Sequence, residues 1–165
     1  MSTLGEAAAQ RLEAAMARLI ATVEGLDEAT LHRMPGEGEW SAIETLAHVA
    51  EMALFWAQRA QQVASGAFAN QGYDRTDDES AQRTAAVADH GQDSLAAMVA
   101  WLRSSATQAA QILRAIPDEG WTQSAFWGPQ RERQTVSQLV EQRILNHVEA
   151  HIQQASDAAH QVRTA

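Results

Sequence analysis

The stretch that most constrains this chain is TVSQLVEQRILNHVEAHIQQ, Thr135 to Gln154. Its apolar residues Val136, Leu139, Val140, Ile144, Val148 and Ile152 recur near the 3.6-residue period of an α-helix. On such a helix Val136, Val140, Ile144, His147 and His151 fall within about 80° of one another. Two histidines one turn apart thus sit inside the stripe expected to be buried. A buried imidazole needs a partner for each ring nitrogen, or its desolvation costs roughly 1–3 kcal/mol. Rings spaced i, i+4 stand over one spot on the helix surface, as a metal chelate requires. The alternative is a pair of core histidines bonded to neighbouring side chains.

Composition narrows what can surround this helix. With 165 residues the chain is long enough for one domain, 1–165, with its own core. At 45% hydrophobic and 20% charged it is neither disordered nor membrane-like. Alanine and glutamine are abundant, while glycine (9) and proline (3) are scarce, which favours long helices with few turns. The net charge of −9 and the lack of a basic patch argue against nucleic acid as a partner. No apolar run is long enough to predict a membrane span. The first residues, MSTLGEAAAQRLEAAM, carry charges where a secretory signal would be apolar, so a cytoplasmic location is expected. With no cysteine, disulfides, thiolate nucleophiles and cysteine-based zinc sites are excluded.

From the N-terminus, Leu4, Ala8, Leu12, Ala15, Met16, Leu19, Ile20 and Val23 form one stripe and predict a first helix from about Thr3 to Glu24, with Gly25 as its stop. Leu26 to Trp40 reads as a connection containing Pro35, Gly36 and Gly38, with one helical turn available at Asp27 to Arg33. Ser41 followed by Glu44 is a capping box that starts a second helix, which Ser65-Gly66 ends. That helix is apolar on two sides, one carrying Ile43, Leu46, Ala50 and Leu54 and the other Met52, Phe55 and Trp56 with His48. Packing on two sides is expected, against the bundle and against a second subunit, so a homodimer is expected. Phe68 to Ser80 reads as a surface loop, whose Asp77-Asp78-Glu79 lacks the spaced oxygen ligands of a calcium loop. A third helix is broken near Gly91, is firm from Asp93 to Ala115, and stops at Pro117. Asp118 to Gln134 reads as a long connection whose Trp121, Phe126 and Trp127 either plug one end of a bundle or line a pocket mouth, with plugging favoured. Thr135 with Gln138 caps the last helix, which runs to about His160. The fold class is therefore all-α, a four-helix bundle, and metal sites in such bundles are built from inward side chains on facing helices.

His147 and His151 need a third ligand from another helix, and His48, deep in helix 2 among apolar neighbours, is the leading candidate. His32 in a loop, His90 beside a break and His160 in a polar tail are weaker. Glu44 and Glu51, one turn either side of His48, are candidates to orient an imidazole or else are solvated. Glu149 lies off the histidine face and does not make an HExxH arrangement.

WSxxExLxH at Trp40 to His48, followed by NHxxxHxxQ at Asn146 to Gln154, resembles the DinB-like superfamily. These are the metal-binding four-helix bundles, not the DNA polymerase sharing the name. The resemblance runs through essentially the whole chain and implies that His48, His147 and His151 hold one divalent metal ion. The chain departs from family members at Ala150-His151 and Gln153-Gln154, where paired histidines and a Gly-Gln are common. Relatives include transferases and isomerases that use a low-molecular-weight thiol such as bacillithiol or mycothiol. The implied chemistry is a metal-dependent S-transfer or isomerisation on a small-molecule substrate, with zinc, nickel, iron or manganese as the metal. Lacking cysteine, the protein would take its thiol from a cosubstrate. Catalytic residues beyond the ligands are unassigned. The open alternatives are a non-catalytic metal- or ligand-binding bundle with a structural or stress-related role, and three satisfied core histidines with no metal. An enzyme predicts an open coordination position beneath a pocket lined by Trp127, Trp121 or Phe55; a structural site predicts a closed shell.

Overall fold

A computed structural model describes the backbone of residues 2–163 and the side chains of residues 2–157. His160 therefore lies outside the described side chains. Helix α1 spans Thr3–Val23, and a single turn, α2, spans Glu28–Leu31. Helix α3 covers Ala42–Ala64, α4 covers Asp77–His90 and α5 covers Leu95–Ala115. A 3-10 turn at Asp118–Thr122 leads into strands β1 (Ser124–Trp127) and β2 (Glu132–Thr135). The last helix is continuous but not uniform: α6 (Val136–Val140), a π segment (Glu141–Leu145) and α7 (Asn146–Arg163) succeed one another directly.

The ends form where the local chemistry dictates. The Ser41–Glu44 and Thr135–Gln138 capping boxes are both present, and a third, Thr76–Glu79, starts α4. Gly66, at φ 83°, ends α3 in a Schellman turn: its N–H donates to Val63 and that of Ala67 to Gln62. Gly25 does not play that part; α1 ends at Glu24 with right-handed backbone.

The four long helices are α1, α3, α5 and the α6–α7 rod. Helix α1 packs on α5 and α7, and α3 packs on the same two helices, so α1 and α3 lie diagonally opposite. Arg114 pairs with Glu6 and Glu13, while Arg103 pairs with Glu24, so α5 runs antiparallel to α1. Arg11 pairs with Glu141 and Arg18 with Glu149, so the last helix runs parallel to α1. The close approach of α1 to α5 requires Gly5, where an added Cβ would stand 2.5 Å from the Leu113 carbonyl oxygen.

Two expectations are corrected. The connection Asp118–Gln134 contains an antiparallel hairpin, Ser124 opposite Thr135 through Trp127 opposite Glu132. The Gln71–Tyr73 backbone bonds to Phe126 and extends the hairpin laterally. The two apolar sides of α3 are both covered within one chain, because α4, the α6–α7 rod and β1 join α5 around it. Finally, a π turn takes up one residue more than an α turn and rotates the remainder of the helix by roughly 100°. Ile144 and Leu145 are both buried as a result, and His147 and His151 are half-buried at the edge of the stripe instead of at its centre.

Candidate metal centre and its cavity

His48 comes from the middle of α3 and is only 6% exposed. His147 and His151 come from the first turns of α7, immediately beyond the π segment. The structure brings these three together: one ligand nitrogen from each lies within 4.8 Å of the others. His48 Nε2 and His147 Nε2 are 3.3 Å apart. Two nitrogens held tetrahedrally at roughly 2.0–2.1 Å from one ion would stand about 3.4 Å apart, so the spacing suits a shared metal.

The remaining ring atoms test that fit. His151 Nδ1 lies 2.9 Å from Gln154 Oε1 and, facing a carbonyl oxygen, is the donor. That bond fixes the tautomer with a lone pair on Nε2, an atom that is buried and has no hydrogen-bond partner among the described residues. A buried nitrogen lone pair beside two further imidazoles is what a metal ion would complete. His48 Nδ1 is also buried, with no hydrogen-bond partner among the described residues. Gln154→Leu removes the carbonyl that orients the ring, and metal affinity is expected to fall about 10–100-fold in competition with a chromophoric chelator.

Burial pushes His48 down to about 3, helped by the neighbouring His151 and His147 and by Arg83 and Arg75. His147 is pushed down to about 4 by burial, His151 and Arg143. His151 is lowered by burial and partly restored by its bond to Gln154. All three are neutral at pH 7, the state a metal ligand requires. The unfolded chain protonates the same groups near their ordinary value of 6.5, so protons favour unfolding. The stability of the metal-free protein is therefore expected to be level above pH 6.5 and to fall as the pH drops from there towards 4. Thermal unfolding across that window checks it, and a triple His→Gln variant at 48, 147 and 151 should flatten the curve.

A cavity of about 340 Å³ opens against His48 and His147, walled by Trp56, Trp127, Ser80, Asp74 and three arginines, Arg75, Arg83 and Arg143. The sequence does not announce these arginines as a group. Arg143 alone is legible there, since it precedes His147 by four residues on one helix face. Arg75 and Arg83 arrive from the 68–80 segment and α4, and only tertiary packing brings them in. The Arg143 guanidinium lies 3.6 Å over the Trp127 ring. A larger hollow of about 580 Å³ lies between Trp40, Thr45 and Gln153, but none of the three histidines lines it.

The other expectations sort plainly. Trp127 lines the cavity mouth, whereas Trp121 is a buried plug and Phe55 is sandwiched between Arg59 and Arg75. Neither carboxylate near His48 touches an imidazole. Glu44 caps its own helix through Ser41, and Glu51 takes two bonds from Arg75 at 2.9 and 2.8 Å. Helix geometry places those carboxylates near His48 but cannot foresee the stronger competing donors. His32 meets Glu28, His90 bonds Asp93 and stacks on Trp101, and Glu149 pairs with Arg18, all away from the triad. Glu79 caps α4 and pairs with Arg59, so the acidic run Asp77–Glu79 is a helix start.

Residues 11–155 match the DinB superfamily. No curated protein matches the chain. Among solved structures, the chain is similar to YfiT from Bacillus subtilis, described as a probable metal-dependent hydrolase with an unusual four-helix bundle topology. The TM-score is 0.74 at 18% identity, over 98% of this chain and 90% of that one. It is also similar to the mycothiol-dependent maleylpyruvate isomerase, with a TM-score of 0.69 at 16% identity, over 92% of this chain and 62% of that one. A single-site mutant of that isomerase gives the same TM-score at 15% identity. At these identities the likeness is one of fold. Among the described residues no helix is long and apolar enough to cross a membrane.

Proposed function

Because the chain belongs to the DinB superfamily, we propose that it is a metal-dependent enzyme acting on a small molecule, with His48, His147 and His151 holding one divalent ion. Zinc, nickel, iron and manganese all suit three imidazoles. The observation that carries this reading is the cavity against His48 and His147: a closed structural site would have no such opening. When bound, the ion supplies Lewis acidity and lowers the pKa of a water or thiol in its open position. The protein's own share is positional. Gln154 holds the His151 ring, and burial keeps all three imidazoles neutral. Trp56 and Trp127 wall the reacting volume with apolar surface that limits water.

The reaction proposed is a thiol-dependent S-transfer or isomerisation. The isomerase of the same fold uses mycothiol, and the cysteine-free chain needs an external thiol. A reduced thiol cosubstrate would place this reaction in a reducing compartment, the cytoplasm. The same site with water in the open position would instead be a hydrolase, the activity suggested for YfiT. Cobalt-substituted protein separates the two. Adding a small thiol is expected to produce an intense near-ultraviolet thiolate-to-cobalt band that saturates, whereas an unchanged spectrum would remove the thiol reading and leave the hydrolase.

A further inference from the structure

The cavity beside the histidines is locally positive in a protein whose net charge is −9. Of its three arginines, Arg75 is neutralised by Glu51. The cavity's carboxylate, Asp74, accepts the Gly128 N–H at 3.1 and 3.2 Å. Arg83 and Arg143 have no carboxylate partner among the described residues, and the Nε of each is buried with no acceptor. Half-buried guanidinium groups without a counter-ion lose part of their hydration with no charge to offset it, and two lining one cavity leave a place for an anion. Stacking on Trp127 occupies one face of Arg143 and the Tyr73 hydroxyl takes a hydrogen bond from its guanidinium, so its remaining N–H groups, with those of Arg83, are the donors for an oxyanion. A metal held by three neutral imidazoles would add to the same positive field.

We propose that Arg83 and Arg143 form an oxyanion subsite that holds a carboxylate of a small-molecule ligand, with the rest of that molecule directed at the histidine triad. Asp74, lining the same cavity, disfavours two negative charges concentrated on one phosphate group relative to the single charge on a carboxylate group. The subsite needs no metal; it rests on the enzyme reading only in assigning the ligand's other end to the triad. The carboxylate belongs either to the thiol cosubstrate or to its reaction partner.

Calorimetric titration at low salt tests this on metal-free and zinc-loaded protein, with zinc content measured for every variant. Succinate is expected to bind both forms, its neutral diamide to bind neither, and Arg83→Gln or Arg143→Gln to weaken succinate at least about tenfold. Zinc content should be unchanged in both variants, and Arg133→Gln, on the exposed hairpin, should bind as wild type. Helix α4 buries only Val87 in its core-facing surface, so Arg83→Gln leaves the packing intact even if Arg143→Gln does not. If zinc-loaded protein prefers mercaptosuccinate to succinate, the subsite stands and the carboxylate is the thiol's. Equal binding keeps the subsite and gives the carboxylate to the partner. Succinate bound by a protein that takes up no zinc also supports the subsite, while removing the metal reading. Succinate binding that is absent at about 10 mM, unaffected by both arginine variants, or weaker than that of inorganic phosphate would overturn the proposal.

Discussion

Adding zinc to the metal-free protein is expected to raise its unfolding temperature, and the rise is expected to vanish in His147→Ala. An ion bound by the folded chain alone stabilises it by mass action, by about 2.7 kcal/mol at a hundredfold excess over Kd. For a domain of this size that corresponds to roughly 5–10 °C. Three features favour a large effect. The ligand nitrogens are already clustered within 4.8 Å, the rings are neutral at pH 7, and Gln154 fixes one of them. In His147→Ala the helix survives, because alanine is the best helix former, but two ligands remain and the site is incomplete. Calorimetric scans of both proteins with and without zinc make the comparison. An equal rise in the variant would place the zinc elsewhere.

The second large effect is structural. Trp121→Ala is expected to cost about 3–5 kcal/mol, because the ring is 3% exposed and its loss leaves a large cavity in the core. The Trp121 ring holds the end of α5 through Nε1, which donates to the Ile116 carbonyl, while the bond from the Ser137 hydroxyl to the Trp121 backbone carbonyl is kept in the variant. Urea unfolding should show the loss as a lower midpoint with an unchanged slope. Trp127→Ala should behave oppositely: a smaller loss of stability, since the ring is half-buried, but a wider cavity and an Arg143 released from its stacking partner. A Trp121→Ala protein as stable as wild type would mean that the plug is not where the structure puts it.

The contrast between these tryptophans shows how far the sequence can be read. Helix starts are legible because a capping box is local: Ser41 with Glu44 and Thr135 with Gln138 form the bonds their spacing predicts. The histidine trio is visible because polar rings on an apolar helix face are anomalous wherever they occur. The hairpin is not legible, since SAFW and ERQT are four residues each and depend on Gln71–Tyr73 packing alongside. Tyr73 itself, in a stretch that reads as a surface loop, is fully buried, its hydroxyl donating to Gln134 at 2.5 Å. The π segment cannot be foreseen from a regular 3.6-residue wheel, which is why the histidines lie at the stripe's edge. The cavity arginines come from three separate elements, and no local pattern announces that they meet.

The most direct test of the central claim is the metal content of untagged protein, measured by inductively coupled plasma mass spectrometry alongside His48→Ala and His151→Ala. A shared three-histidine site predicts about one equivalent of divalent metal in the wild type, lost from both variants while their helicity is retained. No metal in the wild type after reconstitution with zinc, nickel, manganese or anaerobic iron, or metal retained in both variants, would contradict it.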